Sequence, residues 1–363
     1  MLASIQKVID VAPIPNADLI EKIGVLGWSV VAKKDEFKPG DWCIFIEIDT
    51  ILPRTDWSEF LFKHPEDTKY RLRTIKLKKQ ISQGLVLRPQ DVNLAGNVGG
   101  NKDTFTYFCE LGEDVSEFLG ITKFEKPIPV QLRGTVKGKF PSFLRKTDEV
   151  RIQSEPKLLE QLQGKPYYIT QKMDGTSATF YNWKGVFGVC SRNLEMKNPY
   201  DNPKERFKYL WDMIRRFLRM AKQRSKQNPR TFNLNVYWKM AEKYNIKEWL
   251  LDGYAIQAEI CGPSIQGNKM GLVENEMFIF NLWDINKQEY IYPKNEITLD
   301  FGNFVPVIKY GEIFPETNIE DLLDLAKGVY KNETPHEGIV IRAIDQSVSF
   351  KVVNNEFLLK YSE

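Results

Sequence analysis

Over residues 1–90 apolar and polar positions alternate in short runs. Ser29–Ala32 and Trp42–Ile48 have the period of two expected of strands, and turn-formers divide them, as in IPNAD and KPGD. The stretch RLRTIKLKKQISQGLVLRP (71–89) sets Leu72, Ile75 and Leu77 against Arg71, Arg73, Lys76 and Lys78, the pattern of a barrel strand with one charged face. Small barrels of this kind include the OB-fold, which takes polyanions; the alternative is a strand face that meets water. Residues 91–140 turn Gly- and charge-rich. There NLAGNVGGNKDT reads as a loop and PIPVQLRGTVKGKFP as a linker, which places a domain boundary near residue 140. Beyond it VYWKMAEKY and NIEDLLDLAKGVY have helical spacing. YAIQAEI, MFIFNLWDI and GIVIRA read as strands covered on both faces. The pattern predicts an α+β chain with an OB-like β-barrel domain over 1–140 and a second domain over 141–363.

One segment stands apart. Between Lys204 and Arg230 ten Lys or Arg face two acidic residues. Phe207, Leu210, Trp211, Ile214, Phe217, Leu218 and Ala221 within it fall on one helical stripe, which predicts a helix with a basic back, Arg215, Arg216 and Arg219 included. That back either meets water or lies along phosphates.

Composition narrows the chemistry. The chain has 363 residues, enough for two cores, with 42% hydrophobic and 27% charged residues, an ordinary globular balance. Net charge is only +3, so any polyanion site must come from local clustering. No apolar run approaches a bilayer span, and the first residues lack the pattern of a signal peptide, so no membrane association is expected. Cys43, Cys109, Cys190 and Cys261 form no Cys-x-x-Cys pair, which argues against structural zinc and for an intracellular, reducing compartment, cytoplasm or nucleus being left open. Only His64 and His336 are available, which leaves lysine and carboxylate chemistry.

YYITQKMDGTSATFY (167–181) holds Lys172, Asp174 and Gly175 between two strand-like stretches. A lysine amine attacks phosphorus only when neutral, and an ordinary pKa leaves about one in a few thousand ready at neutral pH. Nearby cations lower that pKa, an aspartate can hold a metal, and a glycine admits a close approach. The types fit a nucleotidyl-transfer nucleophile, although a polar β-turn has the same composition.

The downstream order adds weight: CSRN (190–193), AEICGPSIQGNK (258–269), FNLWDI (280–285), HEGIVIR (336–342) and SVSFKVVNNEFLLK (347–360). This series resembles the covalent nucleotidyltransferase superfamily of DNA ligases, RNA ligases and mRNA capping enzymes. KMDGTS, SRN, EICGPSIQGN and EGIVIRA are most similar to the ATP-dependent RNA ligases of the nick-sealing branch. In the N-terminal half RTIKLKKQISQGLVL and RKTDEVRIQ resemble the subgroup with an OB domain in front. The resemblance spans nearly the whole chain apart from the basic segment.

The resemblance implies that 141–363 is an adenylation domain of antiparallel sheets flanked by helices, with a basic helical insert near 204–230. It makes Lys172 the site of a lysyl-AMP formed from ATP, with AMP then passed to an RNA 5′-phosphate and displaced by a 3′-hydroxyl. Asp174, Glu259 and Glu337 match the acids that fix Mg²⁺ or Mn²⁺ through bound waters, and Glu259 also counts among the nucleotide-site residues. Trp283 matches an aromatic that stacks on adenine, with Asp284 following it. Arg192 matches an arginine that contacts the ribose or the incoming end, and Arg151 a basic residue that steadies pyrophosphate. Lys351 matches the first lysine of the last motif. Many relatives carry a second lysine where this chain has Val353, and Lys360 is the candidate to supply that charge. The implied partner is RNA with 3′-OH and 5′-phosphate ends, and no obligate protein partner is evident. Capping enzymes and DNA ligases continue into a C-terminal OB domain, whereas the OB-like half comes first here. The alternatives are a DNA ligase, a capping guanylyltransferase, or a nucleic-acid-binding protein without the chemistry.

Overall fold

The structure, a computed structural model, describes residues 1–97, 105–124, 134–199, 235–291 and 303–361. The predicted basic helix at 204–230, with Arg215, Arg216 and Arg219, lies outside the described residues.

The N-terminal half is a nearly closed barrel. Ala3–Pro13 pairs through its first half with Trp42–Ile46 and through its second with Ile20–Val25, bending at a register shift between Val8 and Asp10. One strand can thereby serve two faces of a curved sheet. The order runs Trp28–Lys33, Ile20–Val25, Ala3–Pro13, Trp42–Ile46, Leu85–Leu87. The ends approach where Gln83 N–H donates to the Ser29 carbonyl at 2.8 Å. Alternation sends Val8, Ile23, Val25, Trp28, Val30 and Phe45 to one apolar cluster, and Ala3, Ile5, Ile44, Ile46 and Leu52 to another.

The basic stretch 71–89 is not one barrel strand. It breaks into Lys69–Arg71, Ile75–Leu77, Gln80–Ser82 and Leu85–Leu87, with Ile75–Leu77 and Gln80–Ser82 paired only to each other. The chain reverses at Lys78 and Lys79, both left-handed (φ 48° and 71°). Leu72 is buried as expected, but Ile75 and Leu77 are about two-fifths exposed (42% and 39%). Three-residue strands joined by so tight a turn leave both apolar side chains on a hairpin that stands off the core. Ala95–Asn97 and Phe105–Tyr107, either side of the Gly-rich stretch, also pair with each other.

The second half holds two sheets. One runs Val136–Lys139, Leu194–Met196, Val186–Ser191, Thr176–Trp183, Tyr254–Cys261, Glu276–Asp284, Glu289–Ile291. Val136–Lys139, in the expected linker, thus belongs to this sheet. The other runs Val150–Arg151, Ser349–Val353, Gly338–Ala343, Tyr167–Lys172, Val307–Gly311. Pairing is antiparallel except where Val150–Arg151 meets Ser349–Val353 and where Asn303–Phe304 meets the Glu276–Asp284 strand. Helices Val236–Lys243 and Ile319–Leu325 cover the sheets, each started by an asparagine (Asn235, Asn318) whose side chain accepts a backbone N–H. All six residues of Gly338–Ala343 are buried, Arg342 included, whose Nη2–H donates to Glu149 Oε1 at 2.9 Å. The four cysteines are free, and no helix among the described residues is long and apolar enough to cross a membrane.

Candidate active site

The two sheets of the second half meet at Lys172–Gly175. Lys172 ends Tyr167–Lys172 of one sheet, and Thr176 begins Thr176–Trp183 of the other, so Met173, Asp174 and Gly175 form the seam. Gly175 is needed for a close approach of chain to chain. A Cβ there would lie 2.3 Å from the Ile260 carbonyl oxygen and 2.9 Å from Glu259 Cγ. Its absence lets the Glu259 strand press against the seam. Gly338 does the same on the other side. At φ 144°, it stands opposite Lys172 in register, and a Cβ would lie 2.1 Å from the Val352 carbonyl oxygen.

These approaches bring carboxylates to the lysine. Glu337 Oε1 lies 2.6 Å from Lys172 Nζ, with both side chains mostly buried (18% and 24% exposed). Glu259, opposite Ser177 in the neighbouring strand, and Asp174 are also within electrostatic reach of the ammonium. Burial opposes the charge on Lys172, but Glu337, Glu259 and Asp174 outweigh it and hold its pKa above the ordinary lysine value. Burial pushes the Glu259 carboxyl up to about 8; Lys172 pulls it down, while Glu337 and Asp174 add repulsion. Asp174 is also raised, by burial and then by Glu337, against Lys269 and Lys172. Without a counter-ion the nest therefore keeps its lysine protonated and its carboxylates under strain.

Lys351 completes the cluster from Ser349–Val353. Burial, then repulsion from Lys172 and Arg151, lowers its pKa to about 7. Arg151 lies opposite Lys351 in a parallel pair. Arg192, exposed just after Val186–Ser191, is ion-paired with Asp148, and its charge reaches Glu259.

The acids fit a divalent cation. Three carboxylates converge on one ammonium, and the upward shift of Glu259 is the kind a bound cation relieves. Among the described residues no three His, Cys, Asp or Glu side chains are placed to ligate one ion directly.

Two expected site residues are placed elsewhere. Trp283 is 2% exposed, packed edge-on against Tyr290 at 4.8 Å between ring centroids in a cluster with Leu144, Tyr181 and Ala255. Both its faces are covered because it pairs with Ala255 in mid-sheet, and so it offers no surface for adenine. Asp284 accepts the backbone N–H groups of Asn286 and Lys287, each at 3.0 Å, holding the turn. Phe280 is the partly open aromatic of that strand, packed against the Met173 cluster beside the seam. Lys360 is exposed on Asn355–Tyr361, its ammonium 5.3 Å from the Tyr361 ring centroid, and is not drawn into the cluster. Val353 is buried, so its position supplies no charge.

Sequence reasoning missed Lys269. Its ammonium lies 2.7 Å from Asp174 Oδ2, donates to the Gln266 carbonyl at 2.8 Å, and sits 5.2 and 5.0 Å from the Phe357 and Tyr361 ring centroids. It ties the aspartate to the C-terminal helix. Its signal was a lysine closing EICGPSIQGNK, which reads in sequence as a loop residue.

The chain is similar to known proteins along its whole length. An OB-fold domain family matches residues 2–89, and the RNA ligase family matches residues 165–361. A lysine-to-alanine mutant of the Naegleria gruberi RNA ligase with ATP and Mn is similar at a TM-score of 0.79 and 31% identity, covering 100% of this chain and 99% of that one. The Naegleria gruberi RNA ligase with PPi gives 0.79 at 31%, covering 99% and 98%. A mutant of that ligase with AMP and Mn gives 0.78 at 30%, covering 99% of each. A search of curated proteins gives no match. With its motifs gathered around one lysine and this likeness along the whole chain, the protein belongs to the RNA ligase family, with an OB-fold domain ahead of the ligase domain.

Proposed function

We propose that the chain is an ATP-dependent RNA ligase that joins a 3′-hydroxyl to a 5′-phosphate through a lysyl-AMP on Lys172. The carrying observation is the 2.6 Å contact of Lys172 with Glu337 inside a nest of three carboxylates, beside the second lysine, Lys351. The Naegleria ligase solved with ATP and Mn supports ATP as the AMP donor and Mg²⁺ or Mn²⁺ as the ion. A divalent cation held by Asp174, Glu259 and Glu337 through its waters would neutralise the charges that keep Lys172 protonated and would offset charge on the α-phosphate.

The residues divide the work as follows. Glu337 is the nearest acceptor for the proton Lys172 must lose. The Lys172 amine then attacks the α-phosphorus, forming a P–N bond as the bond to pyrophosphate breaks. Lys351 and Arg151 supply positive charge along the phosphates, and Phe280, partly exposed beside the seam, is the aromatic that would stack on adenine. An RNA 5′-phosphate oxygen next attacks the same phosphorus, breaking P–N and restoring the amine. The 3′-hydroxyl attacks the 5′-phosphate and AMP leaves. Arg192, exposed at the rim, is placed to meet the incoming end.

The test is a nicked substrate with RNA ends, ATP and Mg²⁺. One AMP and one pyrophosphate should appear per joined strand, with loss of joining when the RNA at the nick is replaced by DNA. Equal sealing of an all-DNA nick would favour a DNA ligase, and labelling from GTP in place of ATP a capping enzyme.

A further inference from the structure

The Lys269 ammonium and the Asp174 carboxylate, 2.7 Å apart, are both mostly buried, at 15% and 11% exposed. An ammonium taken this far out of water needs fixed partners. Asp174 and the Gln266 carbonyl accept its protons, and the Phe357 and Tyr361 rings of the C-terminal helix lie within cation–π range. The loop that carries Lys269 is unusual too. Ser264, Gln266 and Asn268 are all left-handed (φ 68°, 46° and 48°), which costs energy in residues other than glycine and persists only where neighbours fix it. Here Asn268 Oδ1 accepts Leu272 N–H at 3.0 Å, and Asn268 Nδ2–H donates to the Leu272 carbonyl at 2.9 Å. Asn332 Nδ2–H donates to the Lys269 carbonyl at 2.9 Å. Lys269 is thus clamped at its backbone as well as at its ammonium.

Lys269 and Lys172 both favour the charged form of Asp174. Their charges do not last equally. Lys172 must give up its proton before it attacks and carries AMP afterwards, whereas Lys269 takes no part in the bond changes. The charge of Lys269 therefore stays on Asp174 throughout. It engages Oδ2 and leaves the other oxygen for a divalent ion. A fixed positive charge beside the nest also repels that ion, so Lys269 weakens its binding while it holds the carboxylate still.

We propose that Lys269 is a positioning residue that holds Asp174 for the divalent ion and limits how tightly that ion binds, with Phe357 and Tyr361 making the C-terminal helix part of the hold. This rests on the reading of the acid nest given above.

The test uses the full chain with Lys269→Met, which keeps most of the side chain's length and removes its charge. Mn²⁺ binding without nucleotide, read from the electron paramagnetic resonance of the free ion, should tighten about tenfold as a repelling charge leaves. Charging of Lys172 from ATP at saturating Mn²⁺ should slow about tenfold, the scale of one charge-assisted hydrogen bond. Damage to the fold would weaken both, so the opposed signs mark a positioning role. An Mn²⁺ affinity that is unchanged or weaker, or charging at the unaltered rate, would overturn the proposal. Tyr361→Leu removes one ring and keeps the charge. It should slow charging about threefold, leave Mn²⁺ affinity within about twofold, and add nothing to Lys269→Met. Losses that multiply in the double variant would overturn the part given to the helix. An unaltered chain that binds Mn²⁺ but takes up no AMP would sink the proposed ligase instead. The Mn²⁺ affinity of Lys269→Met then decides the role of Lys269 alone, a tighter value upholding it and an equal or weaker one overturning it.

Discussion

At the scale of single residues, the site pairs chemistry with instability. Glu259 has its carboxyl raised from 4.5 to about 8, chiefly by burial. Across that window the folded chain holds a proton that the unfolded chain has released, so stability contributed by the neutral form is lost as pH rises through it. Glu259→Gln should therefore melt higher than the unaltered chain without divalent cation, by a margin that grows from pH about 4.5 to about 8, while charging with AMP is lost. A margin that shrinks with rising pH would contradict this placement of Glu259. Lys351, lowered to about 7, has the opposite consequence for ligand binding: its positive form is lost above that pH, so ATP affinity should fall as pH rises through 7. A titration of nucleotide binding against pH checks the sign. The order of motifs, through the resemblance it carries, singled out Lys172, Asp174, Glu259, Glu337 and Lys351; Lys172 and Asp174 lie at a strand end and the turn after it, whereas Glu259 and Lys351 lie inside strands, where the hydrophobic pattern alone does not mark them. The misplacement of Trp283 has a physical cause. Phe280 is an extra, unpaired residue in its strand, between Asn281 opposite Gln257 and Ile279 opposite Ala258, and local sequence carries no sign of this bulge.

At the scale of elements, the seam and the hairpin carry the next predictions. Gly175→Ala would put a methyl 2.3 Å from the Ile260 carbonyl oxygen, and backbone must move to admit it. The expected cost is about 2 kcal/mol or more in denaturant unfolding, together with slower charging as Glu259 is pushed away. Unchanged stability would mean that the strands are not so closely joined. The hairpin Ile75–Ser82 exposes Lys76, Lys78 and Lys79, none ion-paired among the described residues. If this hairpin follows an RNA backbone, replacing the three lysines with glutamine should flatten the slope of log affinity against log salt by about two to three units. A constant slope would return the segment to a solvated face. Alternation in 71–89 was legible, but its break at Lys78 and Lys79 was not. Lysine carries none of the usual turn preference for left-handed backbone, and two in succession read as continued strand.

At the scale of the molecule, the order of domains was legible and their joint was not. Strand periods and turn residues marked a β-barrel followed by a mixed domain, and the long apolar runs marked strands covered on both faces. The contact of Asp49 with Arg151 joins residues 102 apart, and neither has a local pattern that names the other. Strand Val136–Lys139 likewise reads as linker because three of the four residues of VKGK are charged or glycine, yet it finds a partner in Leu194–Met196. Placing the nest at a seam between sheets has a mechanical consequence: the three backbone segments that carry carboxylates are fixed before any ligand arrives, which suits electrostatic catalysis. The central claim is that Lys172 becomes covalently charged with AMP. Its direct test is incubation of the purified chain and of folded Lys172→Ala with α-labelled ATP or α-labelled GTP and Mg²⁺, after pyrophosphate treatment to strip nucleotide already attached. An acid-labile label at the protein's mass, from ATP alone and absent in Lys172→Ala, is the predicted result. Label that persists in Lys172→Ala, or none on the stripped and folded chain, would contradict the account.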